Sequence, residues 1–465
     1  MNIILVIFDT LRKDCIGAYG LPPWGPVATP HLDAFAGESV RFTHAYPETL
    51  PTIQARRAIY TGNRIYPFWD PPKVLKGETV ASAGWSAIPE DQDTLSEMLK
   101  EAGYRTGLIS DVYHMFKPSK NFWRGFDQWN FIRGQERDPF RSGPLPNQDQ
   151  IDYWVSRDWQ KRYGPELINS IVLNRYDRTH EEEYHVAQVM RESALWLEQN
   201  RDAEKFFLTV ESFSPHEVWH VPEHYWRMYI DEDGQEQIMS GLDVSKIDPY
   251  LLKRAQANYS GLVTMCDRWF GYFMETMRVT GRLDDTMVIV TSDHGHYLGD
   301  YDLLTKRKYP SAPEVYDVPL MVRCPGGEHG GTVSDLFVQH HDISAQILES
   351  AGADRADSVD GVIFLDEALS NKDGKRNHVT AAWGQGITVV TRKWWVSCFA
   401  NGAGMLLHDL ESEEPFITNL ASEHPKVADE LFALAKADAG GEFPEWLVET
   451  SPEIEEAPVL AKHTW

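Results

Sequence analysis

Ile3-Ile4-Leu5-Val6-Ile7-Phe8, followed at once by Asp9-Thr10, is the stretch that decides the fold. An unbroken apolar run has no polar face to turn to water, so it predicts a strand covered on both sides, as in a parallel α/β sheet. Asp9 then falls at the carboxyl end of a central strand, where open α/β sheets place their ligands. An Asp that only caps the next turn is the competing reading.

Met287-Val288-Ile289-Val290-Thr291 repeats the pattern and ends in Ser292-Asp293-His294-Gly295-His296. Neighbouring Asp and His side chains at a strand end, where Gly295 loosens the chain, can both turn toward one metal ion. Strands are also expected over 40–46, 104–109, 206–210 and 318–322. Helices are expected over 93–103, 182–199 and 342–350, the last opened by an Asp342 cap, with helical spacing again from Tyr259 to Phe273. Alternation of this kind gives an α/β class with a large, mixed but mostly parallel sheet flanked by helices.

From residue 376 the style changes to short runs over 378–383, 387–391, 394–399 and 405–408, separated by Gly- and Asn-bearing turns. They suit a small antiparallel sheet, so the expected division is 1–375 as the main domain and 376–465 as a small C-terminal α+β subdomain. Residues 115–180, rich in Trp, Arg, Pro and Asp but poor in periodicity, read as an insertion that shapes substrate choice. Trp-bearing loops near Trp69, Trp123 and Trp219 suit either a pocket wall or plain packing.

Val40 to Tyr46 leads into Pro51-Thr52-Ile53-Gln54-Ala55-Arg56-Arg57. If a helix starts at Thr52, its hydroxyl lies over the positive end of the helix dipole, where unpaired N–H groups favour an anion. Arg56, one turn on, shares that face. Thr52 is therefore a candidate nucleophile, against the plainer reading of a helix cap. His216, in Ser214-Pro215-His216-Glu217, follows another strand, although a single loop histidine is more often just hydrogen-bonded. Lys306 follows a short acidic loop after His296.

The chain has 465 residues, 42% of them hydrophobic, enough for a large core with a satellite. A formal charge of -26 argues against a nucleic-acid or anionic-membrane surface. An anionic substrate must then meet a local cation cluster or a metal. Cys15, Cys266, Cys324 and Cys398 follow no metal-ligand spacing and form no disulfide framework. No basic-then-apolar leader opens the chain and no apolar run approaches about 18 residues, so a cytoplasmic location is expected. The expected partner is a small anionic ester; self-association into a homo-oligomer is left open.

Taken together with Gly17-Ala18-Tyr19-Gly20, Thr29-Pro30-His31-Leu32-Asp33, Gly103-Tyr104-Arg105-Thr106, Leu298-Gly299-Asp300 and Leu407-His408-Asp409-Leu410, these motifs occur in a telling order. The chain resembles the sulfatase branch of the alkaline phosphatase superfamily, which also holds phosphonate monoester hydrolases and phosphodiesterases. The resemblance implies an alkaline-phosphatase-like fold and a divalent metal held by Asp9, Asp293 and His294 near the Thr52 oxygen. It places Arg56 beside that oxygen, and His216 and Lys306 on the anionic group of the substrate. Asp111 and His114 fall near a segment that supplies substrate-binding side chains. Thr10 stands where many sulfatases carry a further metal-binding Asp.

Sulfatases carry Cys or Ser followed by x-Pro-x-Arg, oxidised to formylglycine; here the aligned residues are Thr52-Ile53-Gln54-Ala55-Arg56. A threonine cannot take that route, and a sulfated threonine would have to be cleared by attack on sulfur, a displacement that phosphorus tolerates better. The expectation is therefore a metal-dependent hydrolase of phosphodiesters or phosphonate monoesters that passes through phosphothreonine. The alternatives are a sulfuric ester hydrolase and an inactive anion-binding homologue. His294 suits Zn or Mn better than Ca, and a second metal is left open.

Overall fold

Strand β1 (Asn2–Phe8) is buried along its whole length and lies in the middle of the main sheet of a computed structural model. The structure describes residues 1–73, 80, 82–117, 119–232, 244, 248–370 and 374–454. After β1 come α1 (Pro30–Gly37), β2 (Val40–Tyr46), α2 (Thr52–Thr61), α3 (Leu95–Glu101), β3 (Arg105–Ser110) and β4 (Gln128–Phe131). Next are α4 (Gln148–Trp154), α5 (Arg157–Leu173), α6 (His185–Gln199), β5 (Phe206–Ser212), α7 (Glu223–Trp226) and the long α8 (Pro249–Val279). Strands β6 (Thr286–Ser292), β7 (Tyr297–Leu298) and β8 (Leu304–Thr305) precede α9 (Pro313–Tyr316), β9 (Leu320–Arg323), β10 (Val333–Gln339), α10 (His340–Ala351) and α11 (Leu365–Leu369). The chain ends with β11 (His378–Trp383), β12 (Gly386–Thr391), β13 (Trp394–Phe399), β14 (Leu406–Asp409), α12 (Pro425–Asp438) and α13 (Glu445–Glu449).

The main sheet has the order β10-β2-β9-β6-β1-β5-β3-β4. All its pairings are parallel except those of β9, which runs antiparallel to β2 and β6. Alternate side chains of β1 enter different cores. Ile4, Val6 and Phe8 pack with apolar residues of α1, α6 and α8, whereas Ile3, Leu5 and Ile7 pack with those of α2, α3 and α10. Each such burial is worth roughly 1.5–3 kcal/mol, which is why the run tolerates no polar alternation.

The four-stranded antiparallel sheet β11-β12-β13-β14 forms as its spacing predicts. One face packs on α12, the other on Tyr46, Tyr297 and Tyr316. This sheet also reaches the segment just before α2. The Leu50 amide donates to the Ala382 carbonyl and the Ala382 amide to that of Glu48, both at 3.0 Å, a parallel bridge between Thr49 and Ala382.

The structure adds to or departs from the sequence reading at three places. Residues 115–180 are not irregular throughout: they contribute β4, which pairs with β3, and the helices α4 and α5. Strand β10, which the residue pattern did not mark, closes one edge of the main sheet. Helix α10 starts before Asp342, because Gln339 is its cap and the Asp342 side chain accepts from the Gln339 amide in a capping box. The four cysteines are buried free thiols, and no helix among the described residues is long and apolar enough to cross a membrane.

Candidate active site

Parallel pairing sets Phe8 of β1 beside Ser292 of β6, so the residues that follow, Asp9 and Asp293, leave the sheet next to each other. The Thr10 amide donates to Asp293 Oδ1 at 3.0 Å. Asp9, Asp293 and His294 are fully buried, and one ligand atom from each lies within 4.8 Å of the others. The His294 ring donates from Nδ1 to the Gly295 carbonyl at 3.0 Å, which leaves Nε2 as a free lone pair. Among the described residues that Nε2 and Asp9 Oδ1 have no hydrogen-bond partner, and Asp9 Oδ2 meets only the Arg56 guanidinium, at 3.1 Å. Buried acceptors so short of donors are what a cation would satisfy, and the two-carboxylate, one-imidazole set fits a divalent ion. Burial, reinforced by Asp293, raises the Asp9 pKa well above the usual carboxylate range. Burial works against ionisation of Asp293 too, but His294 and Arg56 hold its pKa below the usual value. Burial lowers His294 to about 4.

Arg56 is itself fully buried. Its Nη1 lies 2.5 Å from Asp293 Oδ2 and 3.1 Å from Asp9 Oδ2, and its Nη2 lies 2.9 Å from Glu211 Oε2 on β5. Nη1 also donates to the Thr52 carbonyl at 3.2 Å. The guanidinium thus ties α2 to the ends of three strands and is aimed at carboxylates rather than into open space. Burial raises Glu211 to about 7.

Thr52 is the first helical residue of α2. Pro51 precedes it as the cap, no side chain caps the helix, and the Pro51 carbonyl accepts from the Ala55 amide at 3.0 Å. No hydrogen bond supports Thr52 as a cap. It lines a cavity of about 710 Å³ that it shares with His114, Glu136, His216, Glu217 and Lys306. Lys306 Nζ lies 2.5 Å from His216 Nε2 and 3.2 Å from Glu217 Oε2. His216 Nδ1 faces Glu217 at 3.2 Å. Burial lowers His216 to about 4 despite the opposing charge of Glu217. Burial opposes ionisation of Glu217, yet His216 and Lys306 keep its pKa below the usual carboxylate value. Across the cavity, His114 Nε2 lies 2.6 Å from Glu136 Oε2. Against the effect of burial, His114 lowers Glu136 well below its ordinary pKa.

The wall of the cavity is aromatic. Trp159, Tyr163, Leu167 and Ile171 of α5 face it, together with Trp85 and Trp383, and the Trp159 and Tyr163 rings stack at 4.5 Å. Reading the residues singly missed this wall, although the spacing of those four is helical. Gly164, at φ 73°, kinks α5 between Tyr163 and Leu167 and masks the period. Trp69 and Trp123 are exposed and Trp219 is buried elsewhere; none of the three lines this cavity.

Asp111 is placed differently from the other candidates. It is fully buried, and its carboxylate accepts from the Phe213 amide at 2.6 Å and from Gln135 Nε2 at 3.0 Å. It therefore braces the turn after β5 instead of facing the cavity. His340 bonds the Ser292 carbonyl and His341 meets Arg376, each through Nε2, while Nδ1 of both has no hydrogen-bond partner among the described residues.

A family model described as Sulfatase matches residues 1–353. The chain is 27% identical to an arylsulfatase of Clostridium perfringens, with 90% of each chain covered. It is 26% identical to the multifunctional alkaline phosphatase superfamily protein PehA of Trinickia caryophylli, over 78% of this chain and 76% of that one. Among solved structures, the phosphonate monoester hydrolase of Agrobacterium radiobacter superposes with a TM-score of 0.71 at 20% identity, covering 94% of this chain and 96% of the other. The phosphonate monoester hydrolase SpPMH from Silicibacter pomeroyi gives 0.66 at 19% identity, with 94% of each covered. These likenesses establish the fold.

Proposed function

This chain belongs to the sulfatase family of ester hydrolases, and from that premise we propose that it cleaves phosphodiesters or phosphonate monoesters with an unmodified Thr52 as nucleophile. The observation that carries the reading is an uncapped threonine at the first turn of α2, facing a cavity with Lys306 and His216. Through Arg56 the same turn is joined to the Asp9, Asp293 and His294 cluster. If Thr52-Ile53-Gln54-Ala55-Arg56 is the counterpart of the family's Cys/Ser-x-Pro-x-Arg, no formylglycine can form, and phosphorus is the centre that a plain hydroxyl can both attack and release.

Asp9, Asp293 and His294 would hold one divalent ion, Zn or Mn rather than Ca, whose Lewis-acid charge favours the Thr52 alkoxide. The Thr52 hydroxyl releases its proton to water as Oγ1 attacks phosphorus in line; an Oγ1–P bond forms as the P–O bond to the alcohol breaks. Lys306 offers its ammonium to the equatorial oxygens. His216, held neutral by burial, accepts from Lys306 and so orients it. His114, which lines the cavity and pairs through Nε2 with Glu136, hands a proton to the leaving oxygen. Water then attacks the phosphothreonine and restores Thr52. The aromatic wall of α5 suits a flat, apolar leaving group.

A panel of aryl phosphodiester, phenylphosphonate monoester, phosphate monoester and aryl sulfate, assayed with Zn or Mn, tests the reading. The phosphorus diesters or phosphonates are expected to turn over fastest, with a phosphothreonine at position 52 detectable by mass spectrometry. Thr52→Ala should lose at least about a thousandfold in kcat, as removal of a nucleophile does. A sulfate preference of orders of magnitude would move the assignment to sulfuric esters. No turnover and no bound metal would make the chain an anion-binding homologue.

A further inference from the structure

Arg57 follows Arg56 on α2 but faces a different space, a second cavity of about 260 Å³ lined also by Arg64, Lys73, Lys120, Asp70 and Trp85. Among the described lining residues cations outnumber acids, in a chain whose net charge is -26. Arg57 is only 9% exposed. Its Nη1 donates to two neutral oxygens, the Gly84 carbonyl at 3.1 Å and Ser86 Oγ at 3.2 Å, and its Nε has no partner among the described residues. Among the described residues Arg64 has no hydrogen-bond partner at Nε or Nη2, and Glu48 and Asp438 approach it only to 3.8 and 3.9 Å.

A buried guanidinium without an anion in direct contact is costly, and burial lowers Arg57 to about 10 against the opposing charges of Glu48 and Asp70. Forked N–H donors match the oxygens of a tetrahedral or planar oxyanion. The volume lies below the roughly 300–1,000 Å³ of sites for drug-sized ligands, which suits a small ion. Trp85 lines both this cavity and the one that holds Thr52.

We propose that the Arg57–Arg64 cavity is a second oxyanion site, which takes an inorganic ion of the phosphate or sulfate type apart from the place where the ester is cleaved. It does not depend on the reaction assigned to Thr52. Through the shared Trp85 wall, an ion bound there restrains one side of the substrate cavity.

Calorimetric titration of inorganic phosphate into the metal-loaded, full-length protein tests this. The wild type is expected to bind two equivalents, and Arg57→Gln and Arg64→Ala one each, or to bind the second at least about tenfold more weakly. Sulfate should compete for the second equivalent and chloride should not. Lys306→Ala should lose only the other equivalent, which separates failure of the catalytic reading from failure of this one. If Arg57→Gln does not fold, Arg64→Ala, at a less buried position, decides alone. A wild type that binds a single equivalent, or two that neither arginine substitution affects, would overturn the proposal.

Discussion

Nζ of Lys306 stands 2.5 Å from Nε2 of His216, across 90 residues of sequence. An ammonium so close to an imidazole nitrogen needs that nitrogen's lone pair, so His216 is neutral and carries its proton on Nδ1, toward Glu217. Burial maintains this state by lowering its pKa to about 4.

The sign of the pH dependence follows. An unfolded histidine titrates near about 6.5, above the folded value, so the unfolded chain takes the proton first. The contribution of this group to stability is complete above that pH and declines toward pH 4 by at most about 1.4 kcal/mol per unit. The Lys306–His216 contact itself is lost only as pH falls through about 4. A profile of kcat/KM against pH should therefore show no acid limb from His216 between pH 7 and 5. A limb near 6.5 that disappears in His216→Asn would contradict the assignment.

Arg56 contacts Asp9, Asp293 and Glu211 in a fully buried setting. In chelator, Arg56→Ala should lose about 3–5 kcal/mol, because it leaves buried carboxylates unpaired. Zn or Mn should recover part of that loss. The wild type should gain about 2.7 kcal/mol from an ion at a hundred times its Kd, and Asp293→Asn far less. Denaturant melts with and without the ion give these values; a wild-type midpoint that no divalent ion shifts would remove the metal from Asp9, Asp293 and His294.

Trp159 stacks on Tyr163 at the cavity wall. Trp159→Ala should raise KM for an aryl ester about tenfold, near the upper worth of one aromatic contact, with little change in kcat and little effect on a methyl ester. Equal losses on both esters would place α5 away from the leaving group.

Gly295 is required by close approach. A Cβ at this position would lie 2.0 Å from the Glu314 carbonyl oxygen, which accepts from the His296 amide at 2.8 Å. Gly295→Ala should cost about 1–3 kcal/mol by overpacking and weaken metal binding at least tenfold, since it displaces the turn after His294. Mn titration monitors this directly; unchanged affinity would show that the turn has room to shift.

The centre of the fold was legible because β1 and β6 are covered on both faces and so carry unbroken apolar runs. Asp9, Asp293 and His294 were legible because they directly follow those runs, and parallel register then brings them together. Strand β10 was not, since Val333 and Asp335 at its start are exposed and dilute its apolar pattern. Asp111 looked like a ligand-facing residue because a carboxylate at a strand end reads the same whether it faces a cavity or accepts from the Phe213 amide. Glu217 and Glu136 escaped notice because their roles rest on contacts with Lys306 and His114 that no local pattern encodes.

The bridge between Thr49 and Ala382 also has a meaning in time. A ribosome makes the peptide carrying Thr52 early and strand β11 more than three hundred residues later. Until Ala382 has been made, the Leu50 amide and the Glu48 carbonyl lack the partner that fixes the approach to α2. Nascent chains of intermediate length therefore carry Thr52 on an approach that is not yet fixed, and this segment is set late in synthesis, with the small sheet.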